Sequence, residues 1–225
     1  MSNARYRPAT EALHAGEEID PKTGATSVGI SPAISYRPKE GAKVFSAQSY
    51  SPDMGFNYAR WGSPTVRALE ERVAALEGTE DAVAFASGMA ANTAVMLDRL
   101  QTGDRAIFGN VCYPGVAEFA HNTLAKLGIE VAFVNPANLS EMEAALRKRA
   151  KLVFVETPAN PILRLCDLKA IAGMAHAAGA EVAVDSTFAT PAATNPAALG
   201  VDFTIHSLTK FLNGHGDVLG GAVAG

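Results

Sequence analysis

Lys210 is the residue whose neighbours most strongly suggest chemistry. It lies in the run IHSLTKFLNGHGDVLGG, residues 205–221, with hydroxyl groups at Ser207 and Thr209 and several glycines after them. A lysine that bonds covalently to a carbonyl compound needs a crowded, hydrogen-bonding pocket of this kind. The same run is also compatible with a lysine that only pairs with Asp217 or with water. The choice between these two interpretations depends on the rest of the chain.

Other polar residues follow short apolar runs that are typical of buried strands. The runs are DAVAFA, RAIFG, EVAFV, KLVFVE, EVAVD and VDFTIH. The residues at or just after the ends of these runs include Ser87, Gly88, Met89, Tyr113, Glu156, Asn160, Asp185, Thr187, Ser207, Thr209 and Lys210. In open α/β sheets, ligands bind outside the carboxyl ends of the strands. We therefore expect these side chains to meet in one crevice.

Helical patterns separate the apolar runs, and this alternation predicts an α/β fold with a mostly parallel sheet between helices. The first clear helix is predicted to begin at Ser63 and to end at Gly78. Its apolar face is predicted to consist of Val66, Leu69, Val73 and Leu76. Ser140 with Glu143 predicts a capping box, and Asp167 predicts another helix start.

The N-terminal part of the chain has a different pattern. Residues 1–60 mix Pro, Gly, Ser and Tyr with little periodicity, which predicts an extended arm. Residues 61–225 predict the packed domain. That domain ends abruptly in the apolar run VLGGAVAG, with no closing helix in the pattern.

Composition and charge argue against several functional classes. A net charge of -4 and a pI near 5.7 disfavour nucleic acid or an anionic membrane as a partner. No apolar run is long enough to span a bilayer, and the first residues lack a signal-peptide pattern. Cys112 and Cys166 stand alone, which disfavours a disulfide or zinc, and His206 and His215 have no ligand spacing. The prediction is a cytoplasmic protein without a metal.

A phosphate group would fit the predicted crevice. Ser87 and Gly88 lie between a strand and a helix, where free N–H groups and the helix dipole favour an anion. Ser207 and Thr209 add hydroxyl groups. There is no Walker-type loop, and GHGDVL lacks the last glycine of the dinucleotide fingerprint. Taken alone, Ser87 and Gly88 could simply cap the helix.

The combination of a lysine, a carboxylate, an aromatic ring and a phosphate cup matches the needs of pyridoxal 5'-phosphate. Lys210 would form the imine, Asp185 would keep the pyridine nitrogen protonated, and Tyr113 would stack on the ring. Each residue also has an ordinary alternative. Asp185 could cap the turn at Ser186 or Thr187, and Tyr113 could be a half-buried aromatic residue with its hydroxyl in water.

Longer motifs then add a family resemblance. The stretch from residue 184 to 221, VDSTFATPAATNPAALGVDFTIHSLTKFLNGHGDVLGG, resembles the signature of the Cys/Met-metabolism family of pyridoxal-phosphate enzymes. YARWGSPT, FASGMAA, CYPG and ETPANP match the family in order and spacing, so the resemblance covers nearly the whole chain. It implies a type I, aspartate-aminotransferase-like fold. It also implies a homotetramer built from dimers, and elimination or replacement at Cβ or Cγ of sulfur amino acids or O-acylhomoserine.

The resemblance also assigns roles to single residues. It implies that Lys210 is the Schiff-base lysine, that Asp185 lies at the pyridine nitrogen, and that Tyr113 stacks on the ring near the leaving group. Tyr58 and Arg60 would reach the phosphate of the neighbouring subunit, which makes the arm an interface. The residues implied to hold the phosphate are Gly88, Met89, Ser207 and Thr209, with Asn160 near the ring hydroxyl.

Three departures from the family pattern limit these expectations. Ser63 replaces the usual Asn before Pro-Thr, which a helix cap tolerates. Gly115 replaces the cysteine of methionine γ-lyases, which disfavours that subclass. Family members are about twice as long, at domain sizes typical of proteins, and their C-terminal domain supplies the arginine for the substrate carboxylate. The 225-residue chain alone is therefore expected to be inactive.

Two other functions fit the same sequence. One is a different type I pyridoxal-phosphate enzyme, such as an aminotransferase, which the tyrosine and the GHGDV context disfavour. The other is a non-catalytic α/β remnant that binds a partner. The choice between lyase and synthase stays open, because the substrate-selecting contacts are expected mainly in the C-terminal domain.

Overall fold

The computed structural model describes residues 6–37 and 55–225. The chain divides into two compact units, Met1–Arg72 and Val73–Gly225. Parts of the predicted arm, residues 1–5 and 38–54, lie outside the described residues. The division that the sequence predicts, an arm of residues 1–60 and a domain of residues 61–225, concerns subunit assembly and stays a prediction.

The first unit contains a helix that the sequence pattern does not predict. Helix α1 spans Pro8–His14, begins with a proline and buries none of its residues. The side chain of Arg72 holds the end of this helix, since its Nε donates to the carbonyl of Ala15 at 2.9 Å and its Nη2 to that of Leu13 at 3.1 Å. The N-terminal segment is thus partly helical and not wholly extended.

Helix α2 spans Pro64–Glu77 and begins as predicted, because the Ser63 hydroxyl accepts the N–H of Val66 at 3.3 Å. The predicted apolar face is wrong in its first half. Val66 and Leu69 are 39% and 40% exposed, whereas Val73 is buried. Of the four predicted residues, Val73 is the one that packs into the core.

A seven-stranded sheet forms the centre of the second unit. Its strands are β1 (Ala82–Phe85), β2 (Arg105–Gly109), β3 (Glu130–Val134), β4 (Leu152–Glu156), β5 (Glu181–Asp185), β6 (Phe203–His206) and β7 (Gly221–Ala224). Their order across the sheet is β1-β7-β6-β5-β4-β2-β3. Strands β2 to β6 pair in parallel, which confirms the predicted mostly parallel α/β sheet.

Strand β7 is the element of the sheet that the sequence pattern does not predict. It lies between β1 and β6 and is antiparallel to both. Because its direction is reversed, its first residue lies where its parallel neighbours end. Gly221 is opposite Phe85, the last residue of β1, and Ala222 is opposite His206, the last residue of β6. Gly221 therefore lies at the same edge of the sheet as the polar residues that follow the parallel strands.

Helices cover both faces of the sheet. They are α3 (Gly88–Arg99), α4 (Pro114–Glu118), which continues into a π-helical segment (Phe119–Leu124), α5 (Leu139–Leu146), α6 (Leu168–Ala177) and α7 (Thr190–Ala193). Neighbouring strand residues point to opposite faces, as strand geometry requires. Phe108 and Phe154 pack in the core under α3 and α4, while Ile107 and Val153 pack with α5 and α6. No helix in the described ranges is long and apolar enough to cross a membrane.

The helix caps agree with the sequence at one site and differ at another. Asp167 caps α6 by accepting the N–H of Ala170 at 2.9 Å, as predicted. The capping box at Ser140 and Glu143 is wrong, because Asn138 is the N-cap of α5. Its side chain accepts the N–H of Glu141 at 3.3 Å, so the helix begins earlier than the box implies.

Candidate functional site

A cavity of about 700 Å³ opens at the carboxyl ends of the parallel strands in the second unit. Every site residue that the sequence predicts, apart from Tyr58 and Arg60, lines this cavity. The lining residues are Ser87, Gly88, Met89, Asn92, Tyr113, Glu156, Asn160, Asp185, Thr187, Phe188, Ser207, Thr209, Lys210, Phe211, Gly214, His215, Gly216 and Leu219. The expected crevice thus brings together side chains that are far apart in sequence.

The N-terminus of α3 forms one wall. Ser87 is its N-cap, and its hydroxyl accepts the N–H of Ala90 at 3.1 Å. The N–H groups of Gly88 and Met89 have no partner among the described residues. Free N–H groups at the start of a helix favour an anion, and the hydroxyl proton of Ser87 can be donated to the same anion.

Two glycines allow three segments to touch at this wall. A Cβ at Gly88 would lie 2.6 Å from the Cβ of Ser207, and a Cβ at Gly221 would overlap the carbonyl of Ser87. The end of β1, the end of β6 and the start of β7 therefore meet closely only because both positions lack a side chain. We call these residues, Ser87, Gly88, Ser207 and Gly221, the glycine wall.

The threonine hydroxyls of the cavity already make hydrogen bonds within the protein. Thr209 donates its hydroxyl proton to the carbonyl of Gly220 at 3.2 Å and accepts the N–H of the same residue at 3.1 Å. Thr187 accepts the N–H of Ser207 at 2.7 Å, which leaves its proton free. Thr187 is therefore better prepared than Thr209 to donate a hydrogen bond to a ligand.

Asp185 is buried at the end of β5, with 6% of its surface exposed. Its Oδ1 accepts the N–H of Thr187 at 3.0 Å, which is the capping contact that the sequence allows. Its Oδ2 accepts a second hydrogen bond, from Nδ2 of Asn92 at 3.2 Å. Two donors thus hold the carboxylate at the base of the cavity.

Asn92 is a site residue that the sequence does not predict. It lies one turn into α3 and is 3% exposed. Its Nδ2 donates both to Asp185 and to the carbonyl of Gly88 at 3.1 Å, while its Oδ1 has no partner among the described residues. One signal was available, because a polar residue four places after Gly88 lies on the same helix face as the predicted phosphate cup.

Glu156 ends β4 and is 7% exposed. Its Oε2 accepts the N–H of Tyr113 at 2.5 Å, and its Oε1 accepts the N–H of Asn160 at 2.9 Å. Burial, together with the nearby charge of Asp185, raises the pKa of Glu156 to about 7, although both N–H groups oppose the shift. Burial also raises the pKa of the adjacent Cys112 thiol to about 12, with contributions from both carboxylates.

Tyr113 and Asn160 lie on neighbouring loops above Glu156. Tyr113 follows β2, is the N-cap of α4 and is 47% exposed, so its ring can meet a ligand. Gly115 lies beneath this ring, since a Cβ there would be 2.7 Å from Cε1 of Tyr113 and 3.2 Å from the sulfur of Met89. Asn160 is exposed at the cavity. We call Tyr113, Glu156 and Asn160 the carboxylate wall.

Lys210 is exposed at the mouth of the cavity. Its backbone N–H donates to the carbonyl of Ser207 at 3.2 Å, which fixes the turn after β6. The alternative pairing with Asp217 is not formed, because Asp217 instead accepts from Nδ2 of Asn213 at 2.9 Å. Phe188 and Phe211, which the sequence does not predict as site residues, lie edge to face at 5.3 Å beside it.

Behind β6 lies a buried pair of ionisable side chains. Nε2 of His206 lies 2.5 Å from Oε1 of Glu77, and neither side chain is exposed. The two residues are 129 positions apart in the chain. This pair connects the C-terminal end of α2 to the strand that leads to Lys210, so His206 contributes to the scaffold.

Tyr58 and Arg60 lie in the first unit. The guanidinium of Arg60 is 5.1 Å from the centre of the Tyr58 ring and 5.8 Å from that of Trp61. Arg60 is exposed. The implied role of these residues in a neighbouring subunit stays a prediction.

Comparison with known proteins gives consistent matches. A family model described as "Cys/Met metabolism PLP-dependent enzyme" matches residues 9–225. A cystathionine gamma-lyase of Bacillus subtilis is 41% identical over 95% of this chain and 54% of its own length. A cystathionine gamma-synthase of Mycobacterium bovis is 39% identical over 96% of this chain and 54% of its own length.

A solved structure gives the same result for the fold. The crystal structure of metB from Corynebacterium glutamicum matches with a TM-score of 0.90 and 34% identity, over 100% of this chain and 56% of that one. The expected type I fold is therefore confirmed. The chain spans about half the length of the relatives that it matches.

Proposed function

Because this chain belongs to the family of Cys/Met metabolism PLP-dependent enzymes, we propose that it forms the cofactor site of an enzyme that eliminates or replaces a group at Cβ or Cγ. The substrates would be sulfur amino acids or O-acylhomoserine. One observation carries the proposal for this chain: Lys210, Asp185 and the free N–H groups of α3 line a single cavity. Similarity to both a lyase and a synthase leaves the choice between these two reactions to experiment.

The residues of the cavity fit pyridoxal 5'-phosphate. The N–H groups of Gly88 and Met89 and the hydroxyls of the glycine wall are available for the phosphate, and Thr187 offers a further hydroxyl. Asp185, held by Thr187 and Asn92, offers a buried negative charge for the pyridinium nitrogen. When bound, the cofactor supplies an electron-withdrawing ring that stabilises negative charge on the substrate carbon.

The chain's own groups would bind the cofactor and move protons. Lys210 would hold the cofactor aldehyde covalently, and its amine, once exchanged for that of the substrate, would take the α proton. Its exposed position at the cavity mouth leaves room for an amino-acid substrate. Tyr113 would stack on the ring near the leaving group, Met89 would help to hold the phosphate, and Asn160 would lie near the ring hydroxyl.

We propose a location in the cytoplasm and a homo-oligomer, a dimer of dimers, for the same protein. Both cysteines are free thiols, which suits a reducing compartment. Tyr58 and Arg60 would contact the phosphate in a neighbouring subunit, and the exposed guanidinium of Arg60 supports this role. A test is to co-express the Arg60→Ala and Lys210→Ala variants of the protein from its complete reading frame. Activity that neither variant has alone is expected from hybrid sites, and no regain would rule out a shared site.

The cofactor assignment is tested by covalent trapping. The protein, expressed from its complete reading frame, is incubated with pyridoxal 5'-phosphate, reduced with borohydride and digested for mass spectrometry. A pyridoxyl group is expected on Lys210 and not on the exposed control Lys148. Lys210→Ala should lose the label. Label on another lysine, or on none, would refute the proposed site and favour a non-catalytic domain.

A further inference from the structure

We propose that Glu156 is a positioning residue that fixes Tyr113 and Asn160 together for binding of the cofactor. This inference rests on the proposed function, because the two residues matter together only if a ring lies between them. Glu156 does not reach the ring itself in this role. It acts through the backbone of the two loops that carry the contacting side chains.

The geometry of the loops supports this role. Tyr113 follows β2 and Asn160 follows β4, and these two strands pair in parallel. Glu156 is the last residue of β4, so its backbone belongs to the rigid sheet. Each of its carboxylate oxygens accepts one N–H, from Tyr113 at 2.5 Å and from Asn160 at 2.9 Å. A single side chain thus sets the height of both loops above the sheet.

A carboxylate is the group that can satisfy both loops. Two backbone N–H groups need two acceptor oxygens, and an ionised carboxylate provides them without carrying a competing proton. A glutamine has the same length but only one acceptor oxygen, and its amide group would face an N–H. The Glu156→Gln change therefore keeps the volume of the side chain and removes one of its two acceptor oxygens.

Ionisation of Glu156 is opposed by its surroundings. Burial and the charge of Asp185, its register partner on β5, raise the pKa of Glu156 to about 7. The charge of Glu156 acts on the Cys112 thiol, and the other titratable groups that line the same cavity are Tyr113, Lys210 and His215. Above neutral pH the carboxylate holds both loops, and below it a proton occupies one oxygen and weakens one bond.

A purely structural role would give a different signature. If Glu156 only filled space or added global stability, the effects of Glu156→Gln and of pH would extend to all parts of the domain alike. If it positions the two loops, the effect is confined to the Tyr113 and Asn160 amides. The wild type at low pH should then resemble the variant.

Hydrogen exchange with residue-level fragmentation tests the idea on the full chain without cofactor. At pH 8, Glu156→Gln should lower the protection of the Tyr113 or Asn160 amide about tenfold, as expected for a lost bond to a charged acceptor. The matched control is Glu141→Gln, because Glu141 accepts the N–H of Asn135 at 2.9 Å on the exposed surface. The control should leave both loops unchanged.

The wild type provides a test that needs no variant. Its protection at Tyr113 or Asn160, corrected for the intrinsic exchange rate at each pH, should fall between pH 8 and pH 6, while β4 amides lose no protection. Unchanged protection at both residues over this range would overturn the proposal. So would a loss that extends uniformly through β4 and β5.

A second readout separates this proposal from the proposed function. In the complete protein, Glu156→Gln should weaken binding of pyridoxal 5'-phosphate about tenfold, the size of one such bond, while Lys210 is still labelled by borohydride. Failure to label Lys210 in the wild type would refute the cofactor site. Normal labelling with unchanged affinity in Glu156→Gln would refute the positioning role alone.

Discussion

On the glycine wall of the cavity, Gly88 and Gly221 let three segments touch, whereas on the carboxylate wall Glu156 holds two loops through their N–H groups. The first contact is steric and carries no charge, so it is indifferent to pH. The second depends on an ionised side chain in a buried position. Two walls of one site should therefore fail under different perturbations, and Asp185 lies between them on β5.

The largest effect is expected from Gly221→Ala. The added Cβ would overlap the carbonyl of Ser87, a backbone atom that cannot rotate away. We expect a loss of about 3 kcal/mol in the free energy of unfolding, since overpacking shifts the backbone. Urea unfolding measures it. The control is Gly173→Ala in α6, which has no described atom within 4 Å of its Cβ and should be neutral or slightly stabilising.

The carboxylate wall should respond to pH. The folded pKa of Glu156 is raised from 4.5 to about 7, so the folded chain binds this proton more tightly than the unfolded chain. The free energy of unfolding should therefore fall as pH rises from 4.5 to 7. Relative to Glu156→Gln, the wild type should lose up to roughly 3 kcal/mol across this range. A flat difference between the two proteins would contradict the assignment.

Removal of the link from the glycine wall to Asp185 should have an intermediate effect. Asn92→Ala deletes the donor to Asp185 and to the carbonyl of Gly88. We expect a loss of about 2 kcal/mol in unfolding free energy, because a buried acceptor is left unsatisfied. Binding of pyridoxal 5'-phosphate should weaken as well. If stability falls and affinity is unchanged, Asn92 supports the fold and not the site.

The smallest effect compares two helix caps. Ser87→Ala and Asn138→Ala each remove a side-chain acceptor at a helix start, α3 and α5 respectively. Each should cost about 1 kcal/mol in unfolding free energy. Only Ser87→Ala should also weaken cofactor binding, as measured by equilibrium dialysis. An equal effect of both changes on affinity would show that the glycine wall needs no Ser87 hydroxyl.

The sequence predicts strands β1 to β6 and the helices between them, because apolar runs and helical spacing are local signals. It does not predict β7, since the direction and partners of a short run such as GAVA depend on distant strands. Helix α1 is also missed, and it buries none of its residues. The capping box at Ser140 and Glu143 is wrong because Asn138, two residues earlier, competes for the same helix end.

The candidate site, like the fold, has features that the sequence predicts and features that it does not. The cavity residues that follow strands can be predicted, because the carboxyl ends of parallel strands share one edge of the sheet. Contacts between distant segments cannot, and they include the bond from Asn92 to Asp185 and the pair of Glu77 with His206. The role of Gly221 cannot be predicted either, since the need for a glycine there depends on which backbone lies beside it.

The position of β1 has a consequence for how the chain reaches its native state. In the described sheet β1 pairs with β7. The register places Ala82, near the start of the second unit in sequence, opposite Ala224, near its end. Contacts of such long sequence separation slow folding, because a large loop must close before they form. During synthesis, β1 and the start of α3 leave the ribosome long before their partner. The cavity can therefore be completed only late, when residues 221–224 have been made and inserted between β1 and β6.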